Sequence, residues 1–224
     1  MQRHPGFPCG SGKKAGVIDL TRGEMGSRGT IEKRKKEAQT SASILGLAVR
    51  KNLELPDTEL QNTRQFQLPI IRQIRQYKPD IVILPPFEDR HPDHGAAARL
   101  LADALFYSGL IKIETLDDLG ETQAPHRPKH VLSYMLDTPF EPDLVYDISE
   151  TMELKKRAIR AFDSQFDVKD PGNEPATYIS DPAFFDTLVA KARRYGYRAG
   201  FRFGEPFQYT GRPIPVRNFS FLED

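Results

Sequence analysis

The densest grouping of side chains able to do chemistry is Asp89-Arg-His-Pro-Asp-His-Gly95, with two histidines three residues apart around a proline. Neutral imidazole is the commonest protein metal ligand, and its charge changes near neutral pH. A pair so placed suits metal binding or proton transfer. Asp93, between the rings, could cap a helix or orient an imidazole by accepting its second N–H. A plain structural account competes, in which Pro92 fixes the backbone of a polar strand-to-helix turn and Asp93 only caps. What precedes the turn weighs for function. Ile81-Val-Ile-Leu84 is apolar throughout and reads as a strand buried on both faces. Functional groups of parallel α/β folds gather on loops at the carboxyl ends of such strands.

Other candidates are weaker. His126 and His130 are four apart, but Pro125 and Pro128 break any shared helical face. Cys9 lies in a glycine- and proline-rich stretch and reads as an incidental thiol. Lys33-Arg-Lys-Lys36 reads as the solvated face of a helix. The glycines of Thr21 to Gly29 match no dinucleotide or phosphate-loop pattern, which disfavours a nucleotide-binding enzyme.

The elements around these residues alternate. Ala15-Gly-Val-Ile-Asp-Leu20 reads as a buried strand, followed by the glycine loop. Thr30 reads as the N-cap of a helix to about Leu45, with Glu32 in its first turn and Gly46 at its end. A strand from Val49 to Leu55 follows, and then a helix with Phe66, Ile70, Ile74 and Tyr77 on one face that stops before Pro79. After the Ile81–Leu84 strand, the histidine turn opens a helix carrying Leu101 and Leu105. Strand alternating with helix predicts a parallel sheet with helices on its faces. The second half is less regular. Strands are expected at Val131–Leu136, Leu144–Ile148 and Phe201–Tyr209, with helices from Ser149 to about Phe162 and from Asp181 or Pro182 to about Gly196.

Composition narrows the class. The 224 residues hold 32 basic against 31 acidic side chains, which argues against electrostatic attachment to nucleic acid or an anionic membrane. One cysteine excludes an internal disulfide and a thiolate zinc cluster, and fits a reducing cytoplasm. No apolar run approaches the roughly 18–20 residues of a membrane span. The expectation is one cytoplasmic domain acting on a small molecule, as a monomer or a homo-oligomer.

Taken together, Val17-Ile-Asp-Leu-Thr-Arg-Gly-Glu24, Gly29-Thr30, Arg34 and the Asp89–Gly95 motif resemble the LmbE/PIG-L zinc-dependent N-deacetylases, with the bacillithiol-biosynthesis branch nearest. The likeness continues through Ser108–Glu114, Ala161–Phe166, Thr177–Ser180 and Gly200–Phe207. It implies a Rossmann-like α/β fold, a mostly parallel sheet with helices on both faces. It also implies hydrolysis of an N-acetyl group from a glucosamine conjugate, N-acetylglucosaminyl malate in that branch, with Zn2+ as cofactor. By the same resemblance His94 matches the histidine zinc ligand. His91 matches the catalytic histidine that stabilises the tetrahedral intermediate or protonates the amine. Arg34 matches a substrate-binding arginine near the acyl pocket.

The likeness implies one departure. Family members open with a strand ending in A-H-P-D-D, then a helix, which together bring two zinc ligands and a general base. Here His4-Pro5 is followed by Gly6 and Phe7, and the family pattern resumes at Lys13. A single domain is expected, with residues 1–12 outside the family pattern, the central strand missing and a misread start as the favoured explanation. The alternative is a non-catalytic remnant of the fold that binds carbohydrate or a partner.

Overall fold

The computed structural model describes residues 13–166 and 173–215; His4 and Cys9 lie outside them. Strand β1 (Gly16–Asp19) leads through the glycine loop to helix α1 (Ile31–Leu45). The Thr30 side chain accepts the Lys33 N–H at the start of α1, and Gly46 ends it in the left-handed region at φ 65°. Strand β2 (Val49–Asn52) returns parallel to β1. Helix α2 (Arg64–Tyr77) ends ahead of Pro79, strand β3 (Ile81–Leu84) follows, and helix α3 (Pro92–Tyr107) rises from the histidine turn.

The second half supplies β4 (His130–Tyr134), β5 (Leu144–Asp147), α4 (Met152–Arg160), α5 (Pro182–Arg198) and β6 (Gly204–Tyr209). Ser149 does not cap α4, which starts after Thr151. Its hydroxyl instead donates to Asp147 at 2.6 Å and accepts the Phe203 N–H at 3.1 Å, tying the end of β5 to the approach to β6. Helix α5 packs on β6 through two glycines. A Cβ on Gly196 would lie 2.7 Å from the backbone of Phe203 and Gly204, and one on Gly204 would lie 2.9 Å from Gly196.

The strands form two separate ladders, β1-β2 and β3-β4-β6-β5. The α/β architecture is as expected and the sheet is mixed: β1-β2 and β3-β4 are parallel, β4-β6 and β5-β6 antiparallel. The antiparallel pairs come from the less regular second half. The main core joins Leu84 to Ile70, Ile71 and Ile74 of α2 and to Ala98, Leu100, Ala104 and Leu105 of α3. A smaller one gathers Ile148, Met152, Ala192 and Phe203.

Strand β3 departs from the expectation of burial on both faces. Val82 and Leu84 face the α2–α3 core, whereas Ile81 and Ile83 are 46% and 50% exposed. These isoleucines line a cleft of about 2560 Å³ that also runs along Ala15–Leu20. Among the described residues, β1 pairs only with β2 and β3 only with β4, so each keeps one edge open. No helix among the described residues is long and apolar enough to cross a membrane.

Candidate active site

The motif residues stand at the start of α3, at the carboxyl end of β3. His91 is the N-cap, in extended conformation, with Pro92 in the first helical position. Its Nδ1 accepts the Asp93 N–H at 3.3 Å, so the ring does the capping expected of Asp93. The Asp93 carboxylate accepts the Thr58 N–H at 2.9 Å and fastens the loop after β2. Asp93 therefore does not orient the imidazole.

Asp89 does. Its Oδ2 lies 2.5 Å from His94 Nδ1, and its side chain is 1% exposed against 38% for the ring. Its Oδ1 accepts the N–H groups of Asp137 at 2.9 Å and Thr138 at 2.8 Å. Burial alone would raise the Asp89 pKa, but the Thr138 N–H, the His94 ring and the Asp137 N–H outweigh it and hold the carboxyl below its ordinary range.

These contacts fix the protons on two neighbouring rings whose centroids are 5.2 Å apart. A carboxylate only accepts, so His94 Nδ1 donates to Asp89 and the lone pair of the neutral ring sits on Nε2. His91 Nδ1 accepts from a backbone amide, so the neutral ring carries its proton on Nε2. One ring presents a lone pair on Nε2 and the other a proton. Gly95 seats this turn: a Cβ there would lie 2.7 Å from the Phe87 carbonyl oxygen.

Arg34 reaches the same cleft from α1. Its Nη1 donates to the Gly23 carbonyl at 2.8 Å. A Cβ on Gly23, at φ 69°, or on Gly26 would approach that nitrogen to 2.4 Å, so the glycines of the loop are the seat of this guanidinium. His91, His94, Asp93 and Arg34 all line the one cleft. His126 and His130 are tied to the Pro79 carbonyl and the Tyr209 hydroxyl. Lys33 pairs with Asp163 at 3.0 Å.

Sequence reasoning missed a second wall. The Tyr178 hydroxyl donates to Asp137 Oδ1 at 2.8 Å, Arg90 Nε lies 3.2 Å from Asp137 Oδ2, and the Arg90 guanidinium sits 4.3 Å from the Tyr178 ring centroid. Lys191 Nζ donates to the carbonyls of Met135 and Leu136 at 3.1 and 2.7 Å. Burial pushes this amine below its usual pKa. Asp89, Arg90 and Tyr178 fell within the quoted motifs but carried no spacing signal; Lys191 gave none.

The zinc implied by the resemblance needs more donors than the described residues bring together. Among them, no three His, Cys, Asp or Glu side chains gather where they could hold a metal ion. His94 offers one nitrogen, and a catalytic zinc takes three protein ligands. The described residues alone do not fit the ion.

Residues 9–105, which include Arg34 and the whole histidine motif, match the family model described as "PIG-L: GlcNAc-PI de-N-acetylase". The chain is 32% identical over 199 residues to diacetylchitobiose deacetylase of Thermococcus kodakarensis, covering 87% of this chain and 69% of that protein. Among solved structures, the conserved protein TT1542 of Thermus thermophilus superposes with a TM-score of 0.79 at 35% identity, over 93% of this chain and 86% of that one. N,N'-diacetylchitobiose deacetylase of Pyrococcus horikoshii follows with a TM-score of 0.70 at 25% identity, over 88% and 73%. By this identity, coverage and shared motif, the chain belongs to the PIG-L (LmbE) family of de-N-acetylases.

Proposed function

We propose that this chain is the scaffold of a zinc-dependent N-deacetylase acting on an N-acetylglucosamine conjugate, with N-acetylglucosaminyl malate of bacillithiol biosynthesis as its substrate. The observation that carries this is the single cleft shared by Arg34, His91 and His94, in which the two rings are hydrogen-bonded in opposite senses. His94 supplies one zinc ligand of this reading, and the described residues do not gather the others. The lone cysteine supports a reducing compartment such as the cytoplasm.

The residues of this chain then have definite work. Hydrolysis of an acetamide adds water to the carbonyl carbon and breaks the C–N bond, and the amine leaves only when protonated. His91 in its cationic form carries a proton on Nε2 toward the cleft and delivers it to that nitrogen, returning to the neutral ring whose Nδ1 accepts the Asp93 N–H. In its cationic form it also offsets charge on the oxygen of the tetrahedral intermediate. Arg34, braced on the Gly23 carbonyl, orients the acylated sugar. His94, held by Asp89, presents Nε2 for the metal.

The test is metal analysis and deacetylation assayed on N-acetylglucosaminyl malate and on diacetylchitobiose, the substrate that names two relatives. His94→Ala should remove most bound zinc. His91→Ala should keep it and lose turnover. Equal loss of zinc in both variants would show these roles to be misassigned, and preference for diacetylchitobiose would refute the malate substrate.

A further inference from the structure

We propose that Asp89 is a positioning residue that serves both walls of the cleft at once, setting the tautomer of His94 through one oxygen and holding the substrate-facing turn 135–138 through the other. The proposal deepens the reading of His94 as a ligand and rests on it for its functional meaning. The Asp89 side chain is only 1% exposed, and its two oxygens face different elements. Oδ2 meets the ring on α3, and Oδ1 takes two successive backbone N–H groups just beyond β4.

Lys191 of α5 completes the grip from the opposite side. It takes the carbonyls of Met135 and Leu136 while Asp89 takes the amides of Asp137 and Thr138, so four consecutive residues are held by an anion and a cation. The side chain carried on that turn, Asp137, in turn holds Arg90 and the Tyr178 hydroxyl. A shift of the Asp89 carboxylate would therefore move the ring and the Arg90–Asp137–Tyr178 wall together. Asparagine at this position keeps the shape but exchanges one acceptor for an NH2 donor. If its oxygen keeps the two amides, the NH2 group faces His94 Nδ1, which must then accept, and the ring proton moves to Nε2. Partners of this kind are worth about 10–100-fold in metal affinity.

The experiment is two-bond 1H–15N correlation of the histidine rings in the full chain, with amide hydrogen exchange read in the same samples. In the wild type, His94 should be protonated on Nδ1 and His91 on Nε2, with the Asp137 and Thr138 amides protected. Asp89→Asn can keep only one side: with its oxygen on the amides the His94 proton should move to Nε2, and with its oxygen on the ring the tautomer stays and exchange of those amides should speed about tenfold or more, the equivalent of one lost hydrogen bond. Asp93→Asn, whose partner is the Thr58 amide, should leave the His94 tautomer unchanged. A wild-type His94 protonated on Nε2 would overturn the proposal even if Asp89→Asn failed to fold, and so would a folded Asp89→Asn with both the wild-type tautomer and the wild-type amide protection. If the tautomers are as stated and no zinc binds the wild type, the deacetylase reading falls and the role of Asp89 stands.

Discussion

Gly95→Ala puts the placement of the histidine turn at risk with a single methyl group. The added Cβ would lie 2.7 Å from the Phe87 oxygen, where ordinary contact begins at 3.4 Å, so α3 or the Phe87 loop must move by about 0.7 Å. Two energies oppose each other. Alanine in a helix is better than glycine by about 1 kcal/mol. Overpacking against backbone costs about 1–3 kcal/mol, because a carbonyl cannot rotate away as a side-chain tip can. The net loss of stability is roughly 1 kcal/mol, or about 2–4 °C in Tm for a chain of this size. Function should suffer more. His94 is the adjacent residue, and a shift of that size would lengthen its 2.5 Å contact to Asp89 to as much as about 3.2 Å and turn the ring. Misplacement of about 1 Å costs about 100-fold in rate, so kcat/KM should drop about 10–100-fold. Urea unfolding, the His94 ring 15N shift and deacetylation kinetics together decide the matter. A Gly95→Ala variant more stable than the wild type, with the same ring shift and full activity, would refute the seating role of Gly95.

Other expected outcomes follow from single contacts. Arg75 is buried and donates to the carbonyls of Ser108, Leu110 and Ile113 and to the Thr115 hydroxyl; Arg75→Met leaves these acceptors orphaned and should cost about 3 kcal/mol or more in urea unfolding. On β3, Leu84→Ala should cost about 2–5 kcal/mol while Ile83→Ser costs under about 1 kcal/mol, because Leu84 is 1% exposed and Ile83 50%. Equal losses would mean that the Ile83 face is covered. Glu37 is raised above 4.5 first by burial, then by the neighbouring Asp163 carboxyl. Its protonated form therefore adds stability below pH about 4.5 that is lost as pH rises through the raised value. Asp163, lowered through its hydrogen bonds with Glu37 and Lys33, gives the opposite slope at lower pH. Glu37→Gln should flatten the fall on the higher-pH side, read from unfolding free energies across pH 4–7.

The order of the elements, both caps of α1 and the family were legible in the chain because each is written in neighbouring residues. Thr30 and Gly46 act on amides and carbonyls within one turn, and the apolar run of β3 is contiguous. The histidine turn was legible for the same reason, as was the cleft it shares with Arg34 once the family was recognised. What each ring nitrogen does was not legible. Asp93 and Asp89 are both within a few residues of His94, and only the packed positions of Thr58 and of the 137–138 turn send one carboxylate to a loop amide and the other to the ring. The exposure of Ile81 and Ile83, the grip of Lys191 and the wall of Arg90, Asp137 and Tyr178 likewise depend on residues tens of positions apart. Local chemistry is set by covalent neighbours. Burial, tautomer and the shape of a cleft are set by whichever distant atoms the fold brings within hydrogen-bond range.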